Sequence, residues 1–294
     1  MSSVKRFFKA IFSWRGFVAL LFVLFFIVPV VQSWRIETLR ENAIRTLEKN
    51  RGSRVIVLIH RQESVNVLGI PVVRYINIDD SEDVLRAIRL TDKNTPLDFI
   101  LHTPGGLVLA AAQIAKAIKR HPAKTTVFVP HYAMSGGTLI ALAANEIVMD
   151  PNAVLGPIDP QLGDFPAASV LKVVEKKPIR RIDDATLVLA DQSRKAIAQI
   201  VALAQELLSG KMPAEKASAI AQRLASGEWT HDFPITMEAA KQLIGLPLST
   251  EMPEQVFQVV RLYPQERERQ PSVFYLPGPR YKTPEPAGHE TALR

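Results

Sequence analysis

The sequence contains no cysteine among its 294 residues. This absence excludes disulfide bonds, a thiolate nucleophile and any metal site that depends on cysteine ligands. The chain also lacks the H-E-x-x-H pattern of zinc peptidases, so we expect no metal site and no cofactor.

The glycine-rich signatures of nucleotide binding are missing as well. No segment matches G-x-G-x-x-G, which holds a dinucleotide, or G-x-x-x-x-G-K-[ST], which cradles the phosphates of ATP. We therefore expect that the chain does not hydrolyse ATP by itself. The net charge is +7, but the basic residues are scattered rather than gathered into a stripe with aromatic side chains. This pattern predicts no nucleic-acid partner.

Charge is absent from a long apolar run near the N-terminus, residues 16–31. The run is slightly shorter than the roughly 20 residues that span a bilayer, and Trp14 and Trp34 bracket it as interfacial aromatic side chains do. A cleaved signal peptide would end in a small-x-small site, which "VQSWR" does not offer, and a core helix would have a polar face. We expect a single-pass membrane anchor over 1–34, with residues 16–34 in the lipid bilayer.

The rest of the chain divides into three parts. Residues 35–53 are predicted to form a charged linker helix, residues 54–263 the main domain, and residues 264–294 a proline-rich C-terminal arm or tail. Lysine and arginine flank the apolar run on both sides, so the positive-inside rule leaves the membrane orientation open.

Apolar strands alternate with helical segments in the main domain, which predicts an α/β fold with a parallel sheet. The predicted strands are rich in β-branched and apolar residues: "RVIVLIH" (54–60), "VVRYINI" (72–78), "LDFILHT" (97–103), "TTVFVPHY" (125–132), "EIVMD" (146–150) and "AVLGPID" (153–159). The predicted helices have apolar residues at helical spacing: 81–90 with a cap at Ser81, 107–120, 138–145 and much of 184–226.

Two glycine turns connect strands to helices. The first, "HTPGG", places Gly105 and Gly106 where backbone N–H groups and the helix dipole are suited to hold an oxyanion. The second, "HYAMSGGT", places Ser135 directly before Gly136. Both turns also have a purely structural interpretation, with glycine required by a tight turn and serine acting as a helix N-cap. Adjacent parallel strands would bring both turns to one edge of the sheet, where α/β proteins bind ligands.

Three segments taken together resemble the ClpP/crotonase superfamily: "LHTPGGLVLAAAQIAKAI", "HYAMSGGTLIALAANEIVM" and "VLGPIDPQLG". Within it the chain resembles the serine dehydrogenase proteinase family, close to signal peptide peptidase A and the archaeal membrane-bound stomatin-cleaving proteases. "SRVIVLIHRQE" and "GEWTHDFPIT" fit this branch too. The resemblance implies the repeated β-β-α spiral of the ClpP/crotonase fold and a homo-oligomer.

The resemblance also implies a serine peptidase mechanism. Ser135 falls on the nucleophile, and the N–H groups of Gly105 or Gly106, together with Gly136, fall on the oxyanion hole. The substrate would be a protein or peptide, including a membrane-associated one.

The general base is where the sequence departs from ClpP. Asp159 stands where ClpP has its histidine, and His231 stands where ClpP has its aspartate. Signal peptide peptidase A and its archaeal relatives use a lysine from a later helix, and "DQSRKAIAQI" selects Lys195, which would act as a base in a desolvated place. The resemblance favours this Ser–Lys dyad. His231 oriented by Asp159 is the other arrangement, and Asp191 offers Lys195 a surface ion pair instead.

The sequence therefore predicts a membrane-anchored serine endopeptidase. Two other functions remain open at this point. A crotonase-type acyl-thioester enzyme would use the oxyanion hole without a serine nucleophile, and a catalytically inactive membrane scaffold would keep the fold alone.

Overall fold

The computed structural model describes residues 14–60, 65–67, 70–72, 74–244 and 248–263. The predicted C-terminal arm, 264–294, and the first residues of the predicted anchor lie outside the described residues.

A long helical segment opens the described chain. It consists of α1 (Trp14–Phe22), a π-helical turn (Val23–Ile27) and α2 (Val28–Arg51). The change from π-helical to α-helical hydrogen bonding coincides with Pro29 in the first turn of α2, since proline has no N–H to donate. Helix Leu20–Arg51 is long and apolar enough to cross a membrane.

Five parallel strands form the central sheet. They are β1 (Arg54–Ile59), β4 (Leu97–His102), β5 (Thr125–Val129), β7 (Glu146–Met149) and β12 (Leu248–Ser249). Their order across the sheet is β1–β4–β5–β7–β12. All residues of β4 and β5 are buried, as expected for central strands with both faces covered. The parallel sheet predicted from the apolar runs is thus confirmed.

Shorter strands surround this sheet. An antiparallel hairpin is formed by β2 (Val65–Val67) and β3 (Ile70–Val72), and another by β9 (Gln161–Leu162) and β10 (Phe165–Pro166). A three-stranded sheet combines β6 (Tyr132–Ala133), β8 (Val154–Leu155) and β11 (Ile235–Thr236), in the order β11–β8–β6.

Helices and one 3₁₀ turn fill the rest of the described domain. The helices are α3 (Ile78–Arg89), α4 (Val108–Arg120), α5 (Gly136–Ala143), α6 (Ala167–Lys176), α7 (Asp184–Leu208), α8 (Ala214–Ala225), α9 (Met237–Ile244) and α10 (Glu254–Arg261). The 3₁₀ turn, Ile179–Arg181, lies between α6 and α7.

The structure corrects the expectation for the segment before α3. The sequence predicts a strand over 72–78, but α3 takes the last residue of that segment and Ile76 makes only an isolated β-bridge. The helix cap is Asn77 rather than Ser81, because Asn77 and Asp80 exchange side chain-to-backbone hydrogen bonds in a capping box. A polar residue one turn earlier in the chain thus outcompetes the predicted cap.

Two apolar clusters hold the layers together, one on each face of the sheet. Alternate side chains of β4 divide between them, with Phe99 in the larger cluster, beside α4, α5, α7 and α8, and Ile100 in the smaller one. Leu47 of α2 is fully buried in the smaller cluster with residues of α10. Arg51, at the end of α2, pairs with the buried carboxylate of Asp98. The C-terminal half of α2 is therefore packed onto the sheet.

Candidate active site

The two glycine turns meet at one edge of the central sheet, as their position after neighbouring parallel strands predicts. The backbone N–H of Thr103 donates to the carbonyl oxygen of Tyr132 over 3.1 Å, and the N–H of Met134 donates to the carbonyl oxygen of Thr103 over 2.9 Å. These two hydrogen bonds fasten the segment before the first turn to the segment before the second.

Close approach of the backbones explains the glycines of the first turn. A Cβ atom on Gly105 would lie 2.8 Å from the Cβ of Ser135, and one on Gly106 would lie 2.3 Å from the backbone nitrogen of Ile76. Both glycines also have positive φ angles, 106° and 156°. Any side chain here would therefore separate the two turns or push the first turn away from Ile76.

Ser135 has an unusual backbone conformation. Its φ of 51° makes it the one non-glycine residue with positive φ in the described part of the chain, and its ψ is −114°. Such a conformation costs about 1–3 kcal/mol and persists only where the surroundings impose it. The side chain of Ser135 makes no capping hydrogen bond to α5, so the N-cap interpretation is wrong. The turn instead resembles the strained strand-to-helix elbow that presents a nucleophile.

A buried threonine holds the elbow in place. The hydroxyl oxygen of Thr138 lies 2.8 Å from the carbonyl oxygens of both Ala133 and Gly156, and accepts a hydrogen bond of 3.0 Å from the N–H of Gly156. Thr138 therefore ties the first turn of α5 to the segments on both sides of the site. Sequence reasoning missed this residue, because a threonine inside a helix carries no visible signal of such contacts.

Two backbone N–H groups remain available near Ser135. The N–H of Gly105 is used, since it donates to the Thr103 hydroxyl over 3.2 Å. Among the described residues, no acceptor takes the N–H of Gly106 or that of Gly136. The Gly106 nitrogen lies 3.6 Å from the position that a Cβ on Gly136 would occupy, so the two donors are close neighbours. Gly106 and Gly136, rather than Gly105, therefore fit an oxyanion hole.

A cavity of about 680 Å³ opens beside the elbow and collects most of the predicted site residues. Ser135, Gly106 and Gly136 line it, together with Asp159 and His231. The last two meet because β11 pairs with β8, which brings the segment before β11 against the segment after β8. This pairing joins residues that are far apart in sequence, and no local pattern announces it.

Asp159 and His231 form a hydrogen-bonded pair in this cavity. The Nδ1 of His231 lies 2.8 Å from Oδ1 of Asp159, whose side chain is only 2% exposed. Gln161 Nε2 donates to the other carboxylate oxygen over 2.6 Å. Asp159 therefore fixes the imidazole ring from one side. The described part of the chain contains no hydrogen bond between His231 and Ser135, a contact that in many hydrolases tightens only with substrate.

Lys195 does not join this constellation. Its side chain is 69% exposed, and its Nζ donates to Oδ2 of Asp191 over 2.6 Å in an ion pair one helical turn apart. It is not among the residues that line the cavity. The structure therefore places Lys195 in the surface pair that the helix spacing allows, and does not bring it together with Ser135.

Another lysine, Lys211, has a desolvated environment of the kind that a lysine base requires. Its Nζ donates to the carbonyl oxygens of Leu142 over 2.7 Å and Ala144 over 2.5 Å. Burial, helped by the charge of Lys119, lowers the pKa of Lys211 to about 7. These carbonyls belong to the C-terminal end of α5, whereas Ser135 stands at its N-terminal end. Lys211 therefore caps the helix and does not touch the nucleophile.

Within the described ranges, no group of three or more histidine, aspartate or glutamate side chains is arranged to hold a metal ion. The polar groups that line the cavity include the hydroxyl of Ser135, the imidazole of His231 and, beside Ser135, the backbone N–H groups of Gly106 and Gly136. This set suits acyl transfer, in which a nucleophile, a base and an oxyanion hole act on one carbonyl group.

Comparison with known proteins identifies the family. The family model for ClpP-like SDH-type serine proteinases matches residues 8–289. Two uncharacterised proteins of Methanocaldococcus jannaschii are similar to the chain: one is 51% identical over 263 residues, covering 90% of this chain and 89% of the relative, and the other is 52% identical over 260 residues, covering 88% and 91%.

Two solved structures are among those to which the chain is similar. A mutant of the 1510-N membrane-bound stomatin-specific protease in complex with a substrate peptide is 25% identical, covers 63% of this chain and 74% of that chain, and has a TM-score of 0.43. ClpP1 from Listeria monocytogenes is 17% identical, with coverages of 72% and 99% and a TM-score of 0.44. With the match of the family model over nearly its whole length, the chain belongs to the ClpP-like SDH-type serine proteinase family.

Proposed function

We propose that the protein is a membrane-anchored serine endopeptidase that uses Ser135 as nucleophile and His231 as general base. The observation that carries this proposal is the shared cavity, in which the strained Ser135 elbow faces an Asp159–His231 pair and two free backbone N–H groups. Membership of a serine proteinase family supports the same chemistry.

The proposed reaction begins with the transfer of the Ser135 hydroxyl proton to Nε2 of His231. Because Oδ1 of Asp159 accepts the Nδ1–H, the lone pair of Nε2 is left to act as base. The serine oxygen bonds to the carbonyl carbon of the peptide, and the carbonyl oxygen becomes an oxyanion. The N–H groups of Gly106 and Gly136 stabilise this oxyanion, with support from the N-terminal end of α5.

The tetrahedral intermediate then collapses. His231 gives its proton to the leaving amine, the C–N bond breaks, and an ester remains on Ser135. Water attacks this ester, with His231 again taking a proton. The bond between the acyl carbon and the Ser135 oxygen then breaks, His231 returns the proton to that oxygen, and the carboxylic acid product leaves. Asp159 stabilises the imidazolium in both halves, and Gln161 holds Asp159 in position through its second oxygen.

Apolar side chains form one wall of the cavity. Leu139, Val154, Ile158 and Ile200 line it. A wall of this kind favours an apolar substrate side chain, because burial of apolar surface stabilises by roughly 25 cal/mol per Å².

The membrane anchor is part of the proposal. Large apolar side chains in the N-terminal helix are exposed, among them Phe25 at 69% and Trp34 at 71%. Because the described part of the chain leaves these side chains uncovered, we propose that lipid covers them and that residues 16–34 span the bilayer. Carbonate extraction of the full chain and of a form that starts at residue 35 tests this, and retention of the shorter form in the membrane pellet would contradict the anchor.

We also propose a homo-oligomer. Leu107 and the first two residues of α4, Val108 and Leu109, are each more than half exposed, and Val108 also lines the cavity. A patch of this type is commonly covered by a second subunit. A monomer in light scattering of the detergent-solubilised chain would contradict this assembly.

The peptidase proposal is tested by labelling with a serine-directed phosphonate probe. We expect the full chain in detergent to react at Ser135, identified by mass spectrometry of the modified peptide, and to hydrolyse a peptide with an apolar side chain before the cleaved bond. Ser135→Ala should lose both reactions. An acyl-thioester enzyme or an inactive scaffold would leave Ser135 unlabelled in the wild-type chain.

A further inference from the structure

A buried polar cluster lies behind the first glycine turn, outside the cavity lining. It consists of two buried residues, His60 directly after β1 and Thr103 after β4, and of the partly exposed Asp80 in α3. His60 is 6% exposed and Thr103 is fully buried. The Nε2 of His60 lies 3.3 Å from Oδ2 of Asp80, and its Nδ1 lies 3.1 Å from the Thr103 hydroxyl. The hydroxyl in turn accepts the N–H of Gly105 over 3.2 Å.

The chemistry of these groups fixes the direction of the hydrogen bonds. An ionised carboxylate only accepts, so the proton of a neutral His60 belongs on Nε2, facing Asp80. Nδ1 then accepts the Thr103 hydroxyl proton. The Thr103 oxygen is left to accept the N–H of Gly105. A continuous series of hydrogen bonds therefore runs from the Gly105 N–H through Thr103 and His60 to the Asp80 carboxylate. Burial lowers the pKa of His60, which favours this neutral form.

These hydrogen bonds end on the N–H of Gly105, in the peptide group directly before the one that carries the proposed oxyanion donor, the N–H of Gly106. The carbonyl oxygen of Gly105 accepts the N–H of Ile76 over 2.7 Å. In a trans peptide this carbonyl and the N–H of Gly106 point in opposite directions, so holding one aims the other. The Thr103 hydroxyl accepts the N–H of Gly105 itself, on the other side of this residue from its carbonyl group. Two bonds therefore fix the orientation of Gly106, and one of them depends on His60.

We propose that His60 is a positioning residue, which acts through Thr103 to aim the N–H of Gly106 into the cavity. The inference rests on the proposed role of Gly106 as an oxyanion donor. Loss of the hydrogen bonds between His60, Thr103 and Gly105 would leave substrate binding in place. It would weaken the hydrogen bond from the Gly106 N–H to the oxyanion, which forms only in the transition state.

Protonation of His60 reverses the hydrogen bond between its Nδ1 and the Thr103 hydroxyl. Both ring nitrogens then donate, and the Thr103 oxygen receives two N–H groups at once. Its own proton must turn away, toward the Gly105 carbonyl oxygen 3.5 Å off. Among the described residues, the charged groups facing His60 are Asp80, which favours the protonated form, and Arg74, which opposes it. We therefore expect the turn to loosen on the acid side of the pH profile.

The test uses Thr103→Val, which removes the hydroxyl and keeps the shape, and Thr103→Ser, which keeps the hydroxyl. In the full chain in detergent, Thr103→Val should lower kcat for peptide hydrolysis by roughly 10- to 100-fold with little change in KM, somewhat less than removal of an oxyanion donor costs. Thr103→Ser should recover most of that loss. His60→Gln, which does not titrate, should remove one acid-side inflection from the kcat profile. Full kcat in Thr103→Val would overturn the inference.

A second measurement does not require catalysis. The protection factor for hydrogen exchange at the Gly105 amide, which corrects for the intrinsic pH dependence of exchange, should be high in the wild-type chain and in Thr103→Ser. It should be low in Thr103→Val and reduced in the wild type at acid pH. Circular dichroism and melting temperature check that each variant folds. The wild type could show no peptide hydrolysis while exchange at Gly105 still follows this pattern. In that case the peptidase proposal fails and the proposed series of hydrogen bonds stands. Equal exchange at Gly105 in all variants would overturn the proposed series of hydrogen bonds from Gly105 to Asp80.

Discussion

Lys195 and Lys211 both follow Ser135 in the sequence, and the fold gives them opposite environments. Lys195 is exposed on α7 and paired with Asp191. Lys211 is largely buried, with a pKa lowered to about 7, but it contacts the far end of α5. The eight residues of α5 separate that end from Ser135 by about 12 Å.

The comparison separates two requirements for a lysine base. Desolvation lowers the pKa, and proximity permits proton transfer; a base needs both. Lys195 has neither in this chain, and Lys211 has only the first. His231 has the position, because it lines the cavity together with Ser135, and its Nε2 can accept a proton while Asp159 takes the Nδ1–H.

The largest expected effect is the difference between His231→Ala and Lys195→Ala. We expect His231→Ala to slow probe labelling of Ser135 by on the order of a thousandfold or more, as removal of an acting member of a catalytic unit does. Lys195→Ala should label at close to the wild-type rate, because it removes only an exposed ion pair away from the cavity.

Circular dichroism of both variants controls for folding in this experiment. The reverse ranking, with Lys195→Ala slow and His231→Ala fast, would restore the Ser–Lys dyad. It would also mean that Lys195 leaves Asp191 when substrate binds.

A second prediction concerns the buried amine of Lys211. Its pKa is about 7 when folded and returns to its ordinary value of 10.5 when unfolded. Between these values the unfolded chain holds one more proton, so the free energy of unfolding rises with pH. Lys211→Met should reduce the rise between pH 7 and pH 10 by roughly 2 kcal/mol or more. Chemical denaturation at several pH values measures it.

Lys195→Met is the matched control, since it removes an exposed lysine from the same protein. Its pH dependence should follow the wild type. The slope in Lys211→Met should not vanish entirely, because burial lowers the pKa of Lys119 as well. Identical slopes in the wild type and Lys211→Met would show that Lys211 is solvated in solution.

The smallest predicted effect concerns the backbone of Ser135. Ser135→Gly should be more stable to unfolding than Ser135→Ala by about 1 kcal/mol, because glycine adopts the observed positive φ without strain. Both variants are expected to be inactive. The same two substitutions at Ser226, where φ is −81°, provide the control. There the glycine variant should be no more stable to unfolding than the alanine variant. Equal stability of the two Ser135 variants would argue that the elbow is relaxed in solution.

Local patterns account for much of what the sequence predicted correctly. Apolar β-branched runs identified the parallel strands, and the glycines of two turns marked the edge at which Ser135 lies. Both signals are contained within a few neighbouring residues. The strand predicted at 72–78 failed because an apolar run of this length is also compatible with a bridge followed by a helix, as the Asn77 cap shows.

The rest of the candidate site depends on contacts between distant segments. His231 meets Asp159 through the pairing of β11 with β8, and Lys211 meets the end of α5 through packing of the helical region. Helical spacing offered Lys195 an ion pair with Asp191 and equally a place in the site, and only the fold decides between them. Gln161 and Thr138 carried no signal beyond their polarity.

The turn at Gly52 would set the distance between the cavity and the membrane in which we propose that the N-terminal helix lies. It reverses the chain between α2 and β1, and Ile44 of α2 packs in the same cluster as Ile59 at the end of β1. Residues 35–51 carry the chain about 25 Å away from the proposed bilayer, and β1 returns it by about 20 Å. The edge that holds Ser135 would therefore face the lipid surface at a short distance. A peptide bond just outside the bilayer would be within reach, whereas one far from it would need a long extended segment.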